Sequence, residues 1–231
     1  MAPIILRRAG QGLFETQGAQ LFTAALDETV LAVLDGVAAA LPPGKAGVRL
    51  TDIAALQPLL SVDGPVGAIA ASALGSLARP VRAVLFDKTP DANWSVGWHQ
   101  DRTIAVRARV DTPGYGPWSV KAGLFHVQPP FDLLAGMVTL RVHLDPVGPD
   151  NAPLLIAPGS HRLGRIPEAD IVAAVARCGT AMCPAARGDI WLYATPILHS
   201  SVAAAIPTHR RVLQVDYAAE ELPEGLAWLG V

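Results

Sequence analysis

From Pro80 onward the chain is built of short β-branched and apolar runs set between Gly and Pro. They occupy residues 81–86, 103–110, 137–144, 154–157, 189–193, 198–202 and 211–217. Short strands at regular spacing with turn residues between them predict a sandwich or barrel of two sheets. The first 75 residues have another texture. Residues 20–40 place small and apolar side chains at helical spacing and stop before Pro42-Pro43-Gly44. Residues 50–60 and 66–77 read as two more short helices, and 168–177 as a later one. The expected architecture is mainly β with flanking helices, in one domain over 1–231: a helical layer over 1–78, then a β-barrel over 79–231. The stretch 111–131 is long, aromatic and rich in Pro and Gly. It reads as a lid over a site or as an Ω-loop packed on the barrel.

Composition narrows the function classes. Of the 231 residues, 51% are apolar and 16% charged, against about 25% charged in typical soluble domains. A large core is expected and disorder is excluded as the main state. The net charge of −2 supplies no basic field for nucleic acid. No apolar run approaches the roughly 18 residues of a spanning helix, so no membrane partner is expected. The first residues put an apolar patch ahead of Arg7 and Arg8, the reverse of a secretory leader. A cytoplasmic setting is therefore expected, and the Asn93-Trp94-Ser95 sequon is set aside. Cys178 and Cys183 lack a second pair, which leaves two ordinary thiols rather than a zinc knuckle.

The strongest chemical signal is Trp98-His99-Gln100-Asp101. On a strand, residues i and i+2 share a face, so His99 and Asp101 converge on one point. An imidazole and a carboxylate suit a divalent metal, but two ligands do not close a site. A distant His is the natural third, with His199 and His209 as late candidates. Two His and one carboxylate form a facial triad that leaves positions open on Fe(II). Those positions suit a bidentate 2-oxo acid and dioxygen. The far carboxylate of such an acid calls for an Arg fork. Arg210 and Arg211 both stand nearby. If 198–202 and 211–217 paired as a hairpin, His199 and Arg210 would lie on neighbouring strands.

With these pieces in order, residues 81–228 resemble the phytanoyl-CoA dioxygenase family of Fe(II)/2-oxoglutarate oxygenases. The matching pieces begin with Phe86-Asp87-Lys88-Thr89-Pro90 leading into Trp98-His99-Gln100-Asp101. Leu140-Arg141-Val142-His143-Leu144-Asp145, Asn151-Ala152-Pro153-Leu154 and Pro158-Gly159-Ser160-His161 follow. Gly188-Asp189, His199 and, eleven residues on, Arg210 complete the set. The resemblance implies a double-stranded β-helix (jelly-roll, cupin-like). It implies His99, Asp101 and His199 as ligands of Fe(2+), with 2-oxoglutarate and O2 as cosubstrates. It also implies Arg210 and Ser201 on the distal carboxylate of 2-oxoglutarate, and Gln100 and Arg141 beside it.

Two positions depart from the family. Relatives commonly carry an aromatic at Arg141, and Gly where Ala152 stands, although Ala resists positive φ. Halogenating relatives lack the carboxylate that Asp101 supplies. The expected outcome is therefore hydroxylation of an unactivated C–H bond in a small molecule, with release of succinate and CO2. The alternatives are a cupin-type metal enzyme that does not use 2-oxoglutarate and a silent barrel-fold binding protein. Of the other histidines, His161 reads as structural, His143 as pocket or core, His126 as a residue of the long loop and His209 as solvated. The tryptophans read as packing, with Trp118 a candidate cover for the mouth.

Overall fold

The computed structural model describes residues 4–5, 13–42 and 44–231. Pro43 and most of the N-terminal stretch on which the leader reading rests lie outside the described residues. The strands are β1 (Ile4–Ile5), β2 (Ala19–Phe22), β3 (Gly47–Leu50), β4 (Arg79–Lys88), β5 (Val96–His99), β6 (Ile104–Val106) and β7 (Trp118–Lys121). They continue as β8 (Leu124–Val127), β9 (Val138–His143), β10 (Leu154–Ile156), β11 (Ala181–Cys183), β12 (Ile190–Ala194), β13 (His199–Ser201) and β14 (Arg210–Ala218). The α-helices are α1 (Leu13–Gln17), α2 (Glu28–Ala39), α3 (Gln57–Leu60), α4 (Gly67–Leu74), α5 (Phe131–Ala135) and α6 (Ile171–Cys178). A six-stranded sheet runs β2-β12-β9-β14-β4-β3, and a five-stranded sheet runs β1-β11-β10-β13-β5. This is the expected jelly-roll of two largely antiparallel sheets.

The large sheet is buried on both faces, and its alternation assigns each face a task. One face carries Ala83 and Leu85 of β4, Leu140 and Val142 of β9, and Leu213, Val215 and Tyr217 of β14. These pack with Leu31 and Leu34 of α2, with Leu60 of α3 and with Ala70 of α4. Asp27 caps α2 by accepting from the Val30 amide at 2.9 Å. The opposite face, toward the second sheet, is largely polar. Register sets its rows: Arg82–Asp216–Thr139, Val84–Gln214–Arg141, Phe86–Val212–His143 and Lys88–Arg210. The helix-facing side thus holds the largest apolar cluster, while the inner side divides between these polar rows and a smaller cluster of Trp191, Tyr193, Leu154 and Ile156.

Three expectations are corrected. The first 78 residues are not a purely helical layer, because β2 and β3 form both edges of the large sheet. Residues 19–22 pair with β12, and those ladder bonds override the helical spacing of their side chains. The stretch 111–131 is not an irregular loop. It contains the β7–β8 hairpin, which β6 extends to three strands. Ala122 (φ 50°) and Gly123 (φ 79°) make the two-residue turn, and both have the positive φ that a type I′ turn needs. Finally, β13 and β14 do not form a hairpin. Residues 202–209 cross from one sheet to the other, and His199 faces Arg210 across the barrel.

Candidate metal centre

Strand β5 pairs with β13 so that His99 lies directly opposite His199. Their rings stand 4.2 Å apart, centre to centre. Asp101 follows β5, and one ligand atom from each of His99, Asp101 and His199 lies within 4.8 Å of the other two. Each imidazole is oriented by its own strand. His99 Nδ1 donates to the Gly97 carbonyl at 2.8 Å, and His199 Nδ1 to the Ile197 carbonyl at 2.9 Å. A carbonyl only accepts, so the proton sits on Nδ1 and the Nε2 lone pair is left for a ligand bond.

The electrostatics match. Burial is the largest influence on His199 and takes its pKa down to about 4; Asp101 opposes that shift and His99 adds to it. His199 is therefore neutral at physiological pH, as a metal ligand must be. Burial pushes the Asp101 carboxyl up, but His199, Arg82, His99 and Lys121 outweigh it and hold the group below the usual carboxylate range. Two oriented imidazoles and one carboxylate fit a divalent first-row metal.

Inside the barrel, these residues border a cavity of about 200 Å³. Lys88, Arg141, Ser201 and Arg210 also line it. Arg210 is 3% exposed, donates from its guanidinium to the Ala152 carbonyl, and leaves its Nε unpaired. Burial, reinforced by Arg141, lowers its pKa to about 9. Arg141 donates to Gln214 Oε1 at 3.0 Å, and its Nε is also unpaired. Lys88 Nζ donates to the carbonyls of Trp94 (2.6 Å) and Val202 (2.9 Å) and to Ser201 Oγ (3.2 Å). Burial, Arg210 and Arg141 bring its pKa down to about 8. None of these three cations has a carboxylate partner among the described ion pairs. Buried cations without counter-ions are costly, which marks the cavity as a site for an anion.

The two late arginines face opposite ways. Arg211 points outward and grips Asp145 with two parallel bonds of 2.9 and 2.7 Å, so Arg210 alone of the pair lines the cavity. Gln100 does not reach this cavity, because it lies one residue from His99 and faces the other way. Its amide donates to the carbonyls of Pro196 (2.8 Å) and Gly164 (3.1 Å) and accepts from the Ile166 amide (2.9 Å). It steadies the loops behind β13. The sequence reading missed Lys88. Its signal was present, since Lys88 continues the Arg82, Val84, Phe86 alternation two residues past the expected end of that strand.

The remaining histidines stand apart from the metal ligands. His161 packs against Gly18, His126 is fully buried on β8, and His209 is exposed beside Asp87. His143 is buried in the barrel interior, with both ring nitrogens unpaired. Trp118 lines no cavity among those described and packs against the cluster around Val106 and Trp228. Asn93 exchanges hydrogen bonds with the Ala204 backbone. Cys178 and Cys183 are free thiols, and burial pushes that of Cys183 upward.

Ala152 holds a positive φ of 51° where a glycine was the family expectation. Asn151 anchors it by donating to Thr208 Oγ1 at 2.7 Å, and the Ala152 carbonyl takes the Arg210 bond. Left-handed backbone costs an L-residue about 1–2 kcal/mol, partly offset by the extra chain entropy of glycine. Ala152→Gly is therefore expected to raise stability by about 0.5–1 kcal/mol without moving Arg210. Urea unfolding would measure it.

Comparison with known proteins agrees with this geometry. No curated protein sequence matches the chain. Among solved structures it is similar to AviO1 from Streptomyces viridochromogenes Tue57, with TM-score 0.64 and 21% identity over 92% of this chain and 93% of that one. It is similar to the epimerase SnoN in complex with Fe3+, alpha ketoglutarate and nogalamycin RO, with TM-score 0.64 and 17% identity over 94% and 90%. It is also similar to HygX from Streptomyces hygroscopicus with nickel and 2-oxoglutarate bound, with TM-score 0.61 and 15% identity over 92% and 87%. Identities this low speak for the fold. The family model for phytanoyl-CoA dioxygenase (PhyH) matches residues 27–212, which include His99, Asp101, His199 and Arg210. Most of the chain is thus covered by one model, and it belongs to the phytanoyl-CoA dioxygenase family of iron- and 2-oxoglutarate-dependent enzymes.

Proposed function

We propose that this protein, working as one domain, hydroxylates an unactivated C–H bond of a small organic molecule with release of succinate and CO2. The observation that carries the reading is the meeting of the His99–Asp101–His199 cluster with a cavity lined by counter-ion-free cations. The similar structures of SnoN and HygX hold a metal and the 2-oxo acid together in this fold. When bound, ferrous iron with 2-oxoglutarate and dioxygen supplies the oxidising power.

The chain's own residues do the rest. His99, Asp101 and His199 would hold the metal, with each imidazole fixed by its Nδ1 bond. Arg210 receives the distal carboxylate of the cosubstrate, Lys88 and Ser201 flank it, and Arg141 borders it. A preorganised buried cation set loses little on reorganisation when the anion arrives. The enclosed barrel interior keeps bulk water from the reaction.

The cation set gives a pH prediction. In the empty cavity Lys88 has a pKa of about 8. A bound carboxylate favours its ammonium form, so binding above pH 8 requires proton uptake. Affinity for 2-oxoglutarate is therefore expected to fall about tenfold per pH unit above that value, until another group titrates. In Lys88→Met this dependence should vanish. Calorimetric titration between pH 7 and 9 would measure both.

The reaction type is tested by supplying 18O2 and a turned-over substrate. Product heavier by one 18O atom supports hydroxylation. A product of unchanged mass and inverted configuration contradicts it and points to epimerisation, the activity for which the epimerase SnoN is named. A silent barrel would form no succinate at all.

A further inference from the structure

A second cavity, of about 610 Å³, meets His99 and Asp101 from outside the barrel. It shares Arg82 with the inner cavity and is also lined by Trp98, Arg102, Lys121, Glu168, Ile171 and Val172. Its size falls in the usual range for a small-molecule site. Since the inner cavity is taken by the cosubstrate in the reading above, on which this inference rests, the outer one is left for the primary substrate.

Its charges are unequal in kind. Arg82 is answered by Asp216 at 2.7 Å. Arg102 donates to the Ile166 carbonyl at 2.6 Å and lies 3.8 Å from Glu168. Lys121 is exposed, and among the described residues its one hydrogen-bond partner is neutral, the Thr103 hydroxyl at 3.4 Å. Of the charged groups that act on it, Arg82 and Arg49 are cations, and the one acid, Asp101, belongs to the metal cluster. Lys121 is the last residue of β7, and the tight Ala122–Gly123 turn fixes it at the rim. Trp98, Ile171 and Val172 supply its apolar surface, and Glu168, paired with Arg102, lies near them. Val172 is 78% exposed and lines the cavity with Ile171 and Trp98.

We propose that the primary substrate is a small amphipathic carboxylic acid, its carboxylate at Lys121 and its apolar body on Trp98, Ile171 and Val172. One unanswered cation balances one negative charge. A phosphate ester carries about −1.5 to −2, and a coenzyme A thioester carries several phosphates, so neither is matched here.

The test uses protein loaded anaerobically with Fe(II) and 2-oxoglutarate, which blocks the inner cavity. Octanoate, octan-1-ol, octyl phosphate and octanoyl-CoA are titrated by calorimetry. A charge-assisted hydrogen bond predicts that octanoate binds about tenfold or more tighter than octan-1-ol. Lys121→Gln should erase that preference and leave octan-1-ol unchanged, and Lys121→Arg should keep it. Val172→Asp should weaken both ligands. Equal binding of acid and alcohol, a preference that survives Lys121→Gln, or no octanoate binding overturns the proposal. Tighter binding of the phosphate or the thioester overturns it in favour of those classes. The iron–cosubstrate absorption of the same samples, read first, reports on the metal-site reading separately.

Discussion

His199→Ala is expected to abolish metal binding and turnover while the chain stays folded. His199 would supply the buried ligand of the cluster and forms the β13 half of its pairing with β5. Loss of a mere supporting partner costs metal affinity about 10–100-fold, and loss of a ligand should exceed that. The fold should bear the change. The variant removes one ring and one bond to the Ile197 carbonyl, a cost of about 1–3 kcal/mol against a core held mainly by the helix-facing side of the large sheet. Metal content after reconstitution, read beside circular dichroism, checks both halves. His209→Ala is the control. Its exposed ring touches neither cavity wall near the ligands, and activity should be retained. Loss of metal in the His209 variant instead would reverse the choice between the two late histidines.

Arg210→Met carries the second large effect. Breaking a buried charge pair from one side costs about 3–5 kcal/mol, because the other charge is left unanswered. Affinity for 2-oxoglutarate should therefore fall ~100-fold or more. The apoprotein should respond in the opposite sense. Arg210 is almost fully buried, keeps one bond to the Ala152 carbonyl, and sits beside Arg141 with no carboxylate partner. An apolar side chain of similar length removes that desolvation cost, so the empty variant should melt no lower than the wild type. Saturating metal and cosubstrate should raise the melting temperature of the wild type and leave that of the variant nearly unmoved. Paired melting curves with and without the ligands measure it. A variant that loses stability when empty and keeps its ligand response would place the cosubstrate's carboxylate elsewhere.

The contrast between those two responses follows from how the inner face is built. Strands β4, β9 and β14 bury side chains on both faces, so a run such as Leu140-Arg141-Val142-His143 alternates between core and cavity. That alternation was legible in the sequence, and so was the convergence of His99 and Asp101. The distant partners were also found, though the connection imagined for them was not. His199 and Arg210 meet because residues 202–209 carry the chain between sheets, which strand periodicity does not encode.

Other features were hidden for local reasons. Residues 19–22 and 47–50 are edge strands whose side chains lack strict alternation, so only their pairing partners define them. The β7–β8 turn was hidden because alanine stands where Asn or Asp usually announces a type I′ turn. Gln100 was placed beside the cosubstrate by the family resemblance, but its amide turns to the Pro196 and Gly164 carbonyls and does not line the inner cavity. Lys88 was missed because its strand runs two residues further than the β-branched run that announced it.

The central claim is that the His99–Asp101–His199 cluster and the cation-lined cavity together hold iron and its 2-oxo acid. Anaerobic titration of the apoprotein with Fe(II) and then 2-oxoglutarate, followed by visible absorption, tests it most directly. The account predicts a new charge-transfer band that requires both additions, saturates at one equivalent and is absent in His199→Ala. Iron bound with no band on adding 2-oxoglutarate would contradict it.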